Sequence, residues 1–222
     1  RLTHVAVELI RDLGERYVIG SDPFQIEKLW WRIYGGQGAR HSDPVTTPVQ
    51  SAIEMACWDI VGKALGQPIY NLLGGAFHEK LRAYSYLSEY TRGDSPEQTA
   101  ELALEYVERG YTAVKLDPVD PRTPNRLETL RYAENVIRAI RRAVGDRCDI
   151  LIGTHGQFDT NGAIRFARRV EEYDPLWFEE PVAPENIKEM ARVAQSTTIT
   201  IATGERLLTR FEFVELLERQ AA

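Results

Sequence analysis

The sequence predicts an α/β protein, part of a (β/α) barrel with about five of its eight strands, preceded by a helical segment. Two observations carry this. From Arg82 onward, short apolar runs alternate with capped helices, the pattern of repeated βα units around a parallel sheet. No glycine-rich phosphate fingerprint follows the first of these runs, which disfavours a dinucleotide-binding sheet.

The elements follow in order. A helical stretch is expected from about Pro23 to Ile33, followed by a flexible Gly35-Gly36-Gln37-Gly38 segment. A longer helix is expected over Pro48 to Leu65, where Ile53, Ala56, Cys57, Ile60, Val61, Ala64 and Leu65 keep helical spacing. Thr47 reads as its N-cap, Pro48 as its first residue and Gln50 as the partner that closes a capping box, while Gly66 and Pro68 end it. The strands are expected at Ala83 to Leu87, Thr112 to Leu116, Asp149 to Ile152, Leu176 to Phe178 and Thr198 to Ala202. Helices are expected near Ser95-Pro96, with Gln98 completing a capping box, near Arg126, near Gly162, near Pro184 and after Thr209. Gly110 and Gly145 close the first two.

Five strands cannot close a barrel that needs eight, and the stretch from Arg82 to Ala222 is shorter than the roughly 250 residues of a whole one. The natural chain is therefore expected to continue past Ala222 and, given the abrupt opening at Arg1, to begin earlier. Failing that, the exposed edge strand would need a partner.

Composition narrows the function. The 222 residues carry a net charge of -6 and are 43% hydrophobic, with a pI near 5.4. An acidic chain is a poor match for nucleic acid, whose phosphates want a basic face. There is no long apolar run and no signal-peptide pattern, so neither a membrane span nor secretion is expected. Cys57 and Cys148 lie far apart in apolar-periodic segments and read as buried free thiols of a reducing, cytoplasmic setting.

In such barrels the C-terminal ends of the strands face the active site, and here those ends are polar. The second strand ends in Lys115-Leu116-Asp117, with alternation pointing Lys115 and Asp117 to one side. Lys115 reads as a base, a clamp for a carboxylate, or half of an ion pair. The third strand leads into Gly153-Thr154-His155-Gly156, placing one of four histidines at the rim. His155 can lend or take a proton near neutral pH, or be an ordinary loop histidine. The fourth strand ends in Glu179-Glu180-Pro181 and the fifth in Thr203-Gly204-Glu205-Arg206. Carboxylates on successive strand ends can converge on a hard divalent ion, or can pair with neighbours such as Arg206.

These four motifs in this order, with Ser51-Ala52-Ile53-Glu54-Met55-Ala56-Cys57-Trp58-Asp59-Ile60 and Leu72-Leu73-Gly74-Gly75 upstream, resemble the mandelate racemase subgroup of the enolase superfamily. Its galactonate dehydratase-like acid-sugar dehydratases are the nearest likeness. The resemblance implies a TIM-type barrel over 82–222 and the C-terminal helical part of an α+β capping domain over 1–81. It implies a magnesium-dependent dehydratase that abstracts the α-proton of an aldonate or aldarate, forms an enediolate and expels the β-hydroxyl. A racemase or epimerase of a 2-hydroxy acid shares the first half of that reaction, and a metal-free binding relative is the alternative of another class. By resemblance Glu179 and Glu205 are magnesium ligands, Lys115 a base and His155 the general acid, while Asp117 and Arg206 are assigned to substrate binding. A homo-oligomer is expected. One position departs from the pattern: Gly153 stands where the family carries its first metal-binding aspartate, leaving Asp117, His155, Asp159 or water to fill the gap.

Overall fold

The computed structural model describes residues 3–36 and 41–222. The chain divides into two compact units, Arg1–Leu81 and Arg82–Ala222.

The described part of the first unit is helical: α1 (Thr3–Leu13), a short π turn, α2 (Ile26–Gly36), α3 (Thr46–Leu65) and the single turn α4 (Ile69–Leu72). Leu13, Leu29, Ile33, Val49 and Cys57 make its core. Helix α2 starts three residues later than the sequence suggests, because Pro23 and Phe24 belong to a turn in which Asp22 accepts from the Phe24 amide (2.9 Å). Gly35 and Gly36 continue the helix rather than loosening it, while Gln37 and Gly38 lie outside the described residues.

The start of α3 also needs correction. Thr47 lies inside the helix, and Asp43 does the capping, its Oδ1 accepting from the Val45 (2.8 Å) and Thr46 (2.7 Å) amides. Pro48 fits the third helical position as well as the first, since none of the opening amides has an intrahelical acceptor to lose. Those amide bonds hold the Asp43 carboxyl below its ordinary range, so their contribution is present at neutral pH and fades as pH falls through that lowered value. Gln50 donates instead to the Trp30 carbonyl (3.0 Å) and joins α3 to α2. Gly66 ends the helix in the left-handed conformation (φ 63°), as expected.

The second unit alternates strand and helix: β1 (Ser85–Tyr86), α5 (Pro96–Glu108), β2 (Ala113–Leu116), α6 (Leu127–Val144), β3 (Asp149–Gly153), α7 (Thr160–Val170), β4 (Trp177–Glu179), α8 (Ile187–Ala194), β5 (Ile201–Ala202) and α9 (Arg210–Glu218). The sheet order is β1-β2-β3-β4-β5, every pair parallel. This is the consecutive arc of a (β/α) barrel that the spacing of apolar runs predicts.

Parity along the strands separates two faces. Val114, Leu116, Ile150, Ile152, Phe178 and Ile201 are buried in one cluster with Ala133, Ile137 and Ile140 of α6, Phe166 of α7 and Met190 of α8. Residues of the opposite parity, Tyr86, Lys115, Leu151, Gly153, Trp177 and Glu179, share the other face of the sheet. Local signals fix the helix starts. Ser95 and Gln98 form the anticipated capping box on α5, and Thr209 with Glu212 forms another on α9. Asn186 caps α8, which therefore begins after Pro184 rather than at it. Both Cys57 and Cys148 are buried free thiols, and among the described residues no helix is long and apolar enough to cross a membrane.

Candidate functional site

At the C-terminal ends of β2, β3 and β4 this second parity becomes polar, and four of the predicted residues, Lys115, Glu179, Asp117 and His155, are placed there in two pairs. Lys115 extends from β2 across β3 and places its Nζ 2.6 Å from Glu179 Oε1 on β4. The crossing is possible because the intervening residue is Gly153, the register partner of Glu179. The Trp177 indole donates to the other oxygen, Glu179 Oε2 (3.1 Å). Tyr84 stands edge-on to Trp177 (5.5 Å) and places its ring 5.9 Å from the Lys115 ammonium. Lys115 thus meets one carboxylate and one aromatic face.

Asp117, on the same side as Lys115, stands 3.2 Å from His155 Nδ1 through its Oδ2. The backbone carbonyl of Asp117 accepts from Arg92 Nε (3.2 Å). Burial first, and then the Asp117 carboxylate beside it, push the Tyr86 phenol above its ordinary value, so this hydroxyl stays neutral. His155 has a left-handed backbone (φ 50°), as does Glu180 (φ 44°). Non-glycine residues held there cost about 1 kcal/mol or more and persist where surrounding contacts enforce them. Here the enforcing contacts are visible. The buried Thr154 hydroxyl is within bonding distance of the Glu179 (3.1 Å) and Glu180 (2.9 Å) carbonyls, and the Gly156 amide donates to the Glu180 carbonyl (2.6 Å).

The second glutamate of the pair behaves differently from the first. Glu180 is 1% exposed and takes a two-pronged contact from Arg206, Nε at 2.9 Å and Nη2 at 2.7 Å. The same contact, ahead of burial, raises the Arg206 guanidinium's value, keeping it charged. Arg206, assigned to substrate from sequence, thus has a partner inside the protein because the enclosed Glu180 carboxylate requires one. Arg206→Ala is expected to cost about 3 kcal/mol of stability, the low end for breaking a buried pair because the guanidinium side is partly exposed. Urea unfolding of the variant measures it, and a change below about 0.5 kcal/mol, the scale of an ordinary surface substitution, would contradict the assignment.

Glu205 lies in the turn three residues past Ala202, the β5 partner of Glu179, and is exposed. Among the described residues no three His, Cys, Asp or Glu side chains stand together as a metal cluster. Asp159, one of the residues that could have replaced the aspartate missing at 153, is committed elsewhere: it caps α7, its Oδ1 accepting from the Gly162 amide (2.8 Å). What does fit a hard cation is the donor chemistry around Gly153. The Asp117 carboxylate stands against the glycine with its Oδ1 buried without a partner, and Glu179 is the glycine's register partner on β4.

A cavity of about 880 Å³ opens beside this rim, lined by Arg92, Asp120, Arg122 and Tyr132 among others, and contains none of the predicted site residues. Arg122 binds Asp120 through two nitrogens (3.0 and 2.8 Å) and holds its carboxyl down to about 2. The buried polar side chains Lys115 and Asp117 gather at Gly153 rather than in this groove.

Tyr84, Tyr86 and Trp177 were not anticipated from sequence, whereas the Glu180–Arg206 pair is the alternative in which a strand-end carboxylate pairs with Arg206. Parity offered a signal for two of them, since Tyr86 is in register with Lys115 and Trp177 lies two residues before Glu179.

An arc of parallel strands with a lysine, a histidine and carboxylates on its C-terminal rim defines part of a TIM-type barrel. Residues 98–222 match the family described as "Enolase C-terminal domain-like", and residues 3–74 match the "Mandelate racemase / muconate lactonizing enzyme, N-terminal domain". The chain belongs to this mandelate racemase and muconate lactonizing enzyme family. It is 37% identical over 203 residues to D-gluconate dehydratase of Thermoproteus tenax, covering 91% of this chain and 41% of that one. It is 33% identical over 218 residues to D-galactonate dehydratase of Pectobacterium atrosepticum, covering 98% and 55%. The crystal structure of a mandelate racemase/muconate lactonizing enzyme from Sulfitobacter sp. superposes with a TM-score of 0.90 at 40% identity, over 99% of this chain and 58% of that one. The chain thus spans about half the length of the relatives it matches.

Proposed function

We propose that the complete protein dehydrates a sugar acid, an aldonate or aldarate, to its 2-keto product. The observation that carries this reading is the pairing of a candidate base and a candidate acid across one glycine: Lys115 is held by Glu179 at 2.6 Å, and His155 stands 3.2 Å from Asp117. Lys115 takes the α-proton, and the electron pair of the broken carbon–hydrogen bond moves into an enediolate. His155 protonates the β-hydroxyl as the carbon–oxygen bond breaks, so that water leaves and the resulting enol tautomerises to the keto acid. A divalent cation bound at this rim, with Glu179 and, from the neighbouring turn, Glu205 as the residues that would hold it, would supply Lewis acidity toward the substrate carboxylate. Asp117 keeps the imidazole oriented, and Trp177 steadies Glu179 from its far side.

The related chains named as gluconate and galactonate dehydratases support elimination over racemisation. Racemisation would require a second base on the opposite face of the substrate, whereas elimination uses the acid that His155 offers. The test is to incubate the full-length protein and magnesium with a panel of aldonates and aldarates, scoring 2-keto acids with semicarbazide. At least one acid sugar is expected to be consumed. Conversion of a substrate to its epimer with no keto product would favour the racemase reading, and inertness toward the whole panel would favour a non-catalytic binding protein.

A further inference from the structure

We propose that Asp117 is a cation ligand of this site, presented from β2 through the gap that Gly153 leaves in β3. The inference rests on the proposed function in taking the rim as the place where the ion binds, and goes beyond it in assigning the ligand.

Two independent observations meet at the gap. A Cβ built on Gly153 would lie 2.2 Å from Asp117 Oδ1 and 3.2 Å from Lys115 Cε. The Asp117 carboxylate thus already occupies the volume that a side chain at 153 would take. Secondly, Asp117 is only 8% exposed and its Oδ1 is buried with no hydrogen-bond partner. An enclosed carboxylate oxygen left unsatisfied is costly and calls for a donor or a cation.

The neighbouring cationic groups are engaged elsewhere. The Lys115 ammonium is on Glu179, Arg92 Nε donates to the Asp117 backbone carbonyl, His155 faces Oδ2 rather than Oδ1, and the Tyr86 hydroxyl that bonds to the carboxylate is neutral and brings no compensating charge. Glu179, in register with Gly153, supplies a second carboxylate from the other side of the gap. Oxygen donors of this kind suit magnesium or manganese, which are commonly held by one or two protein carboxylates with water and substrate completing the shell. A ready-made cluster of three is therefore not required. The side chain a strand neighbour would otherwise contribute at 153 is supplied by a residue on the preceding strand, and the two arrangements exclude each other sterically.

The test is calorimetric titration of magnesium and of manganese, without substrate, into the full-length protein and three variants: Asp117→Asn, Asp117→Ala, and Asp117→Ala combined with Gly153→Asp. The wild type is expected to bind one ion, and each single variant to lose about 10- to 100-fold in affinity or more. The double variant, which returns a carboxylate to the same space from β3, is expected to recover most of that loss. Rescue identifies the carboxylate itself, since a merely destabilised fold would not be repaired by a second substitution. Single variants that bind as tightly as the wild type would overturn the assignment while leaving the dehydratase reading intact. A wild type that forms keto acid but binds neither ion would overturn it too, and failure to form keto acid with ion binding intact would fall on the proposed function alone.

Discussion

Replacing His155 with asparagine is expected to stop dehydration in the complete protein while leaving exchange of the substrate α-proton with solvent deuterium. A β-hydroxyl leaves poorly unless it is protonated as its bond breaks, and a positioned imidazole contributes about 10²- to 10⁴-fold to such a step. His155 is well situated for that task. Its Nδ1 is directed toward Asp117 at 3.2 Å, leaving the other ring nitrogen for substrate, and its side chain is 48% exposed on the rim. Proton abstraction belongs to a different group, so exchange followed by proton NMR should persist. Dehydration at near wild-type rate would remove His155 from the mechanism, and loss of exchange as well would make it the base.

Lys115→Met is expected to give the complementary phenotype, with exchange and dehydration both falling by about 10²- to 10⁴-fold, the range for losing a positioned base. Methionine keeps most of the buried volume beside Tyr84 while removing the amine. The variant also deprives Glu179 of its 2.6 Å partner, so ion affinity must be measured alongside to separate loss of the base from damage to the carboxylate. Exchange at wild-type rate in the variant would exclude Lys115 as the base.

How much of this was legible in the sequence depends on the range of the interaction concerned. Strand positions were readable because Val114, Leu116, Ile150 and Ile152 form short apolar runs between capped helices, and the helices cover the parity those residues share. The Ser95–Gln98 box was readable because both partners lie within one turn. Asp43 was missed as the cap of α3 because a proline at position 48 is compatible with two helix starts, and only the folded turn shows which carboxylate meets the amides. The rim residues could be nominated from strand ends, but their partners could not. Lys115 and Glu179 are 64 positions apart and Glu180 and Arg206 are 26 apart. Sequence left Arg206 open either to a strand-end carboxylate or to substrate, and only the folded chain shows that Glu180 takes it. Gly153 read as a missing ligand; only the structure reveals it as the opening through which two side chains of β2 pass.

The pairing between the β3 and β4 segments does not stop where the strands end. Beyond Gly153 and Glu179 it runs on through the Thr154, Gly156 and Phe158 amides, which donate to the carbonyls of Glu179, Glu180 and Pro181, and on to a parallel bridge between Phe158 and Val182. His155 is thereby carried on a braced segment, its left-handed backbone enforced from both sides. The entropy of fixing the acid in place is lost when the chain folds, not at each encounter with substrate, so binding free energy is left for orienting the reacting carbons. Glu205 sits in an exposed turn outside this brace, and under the proposed function ordering that carboxylate would draw on the free energy of each binding event. The two sides of one rim therefore differ in when their conformational entropy is surrendered.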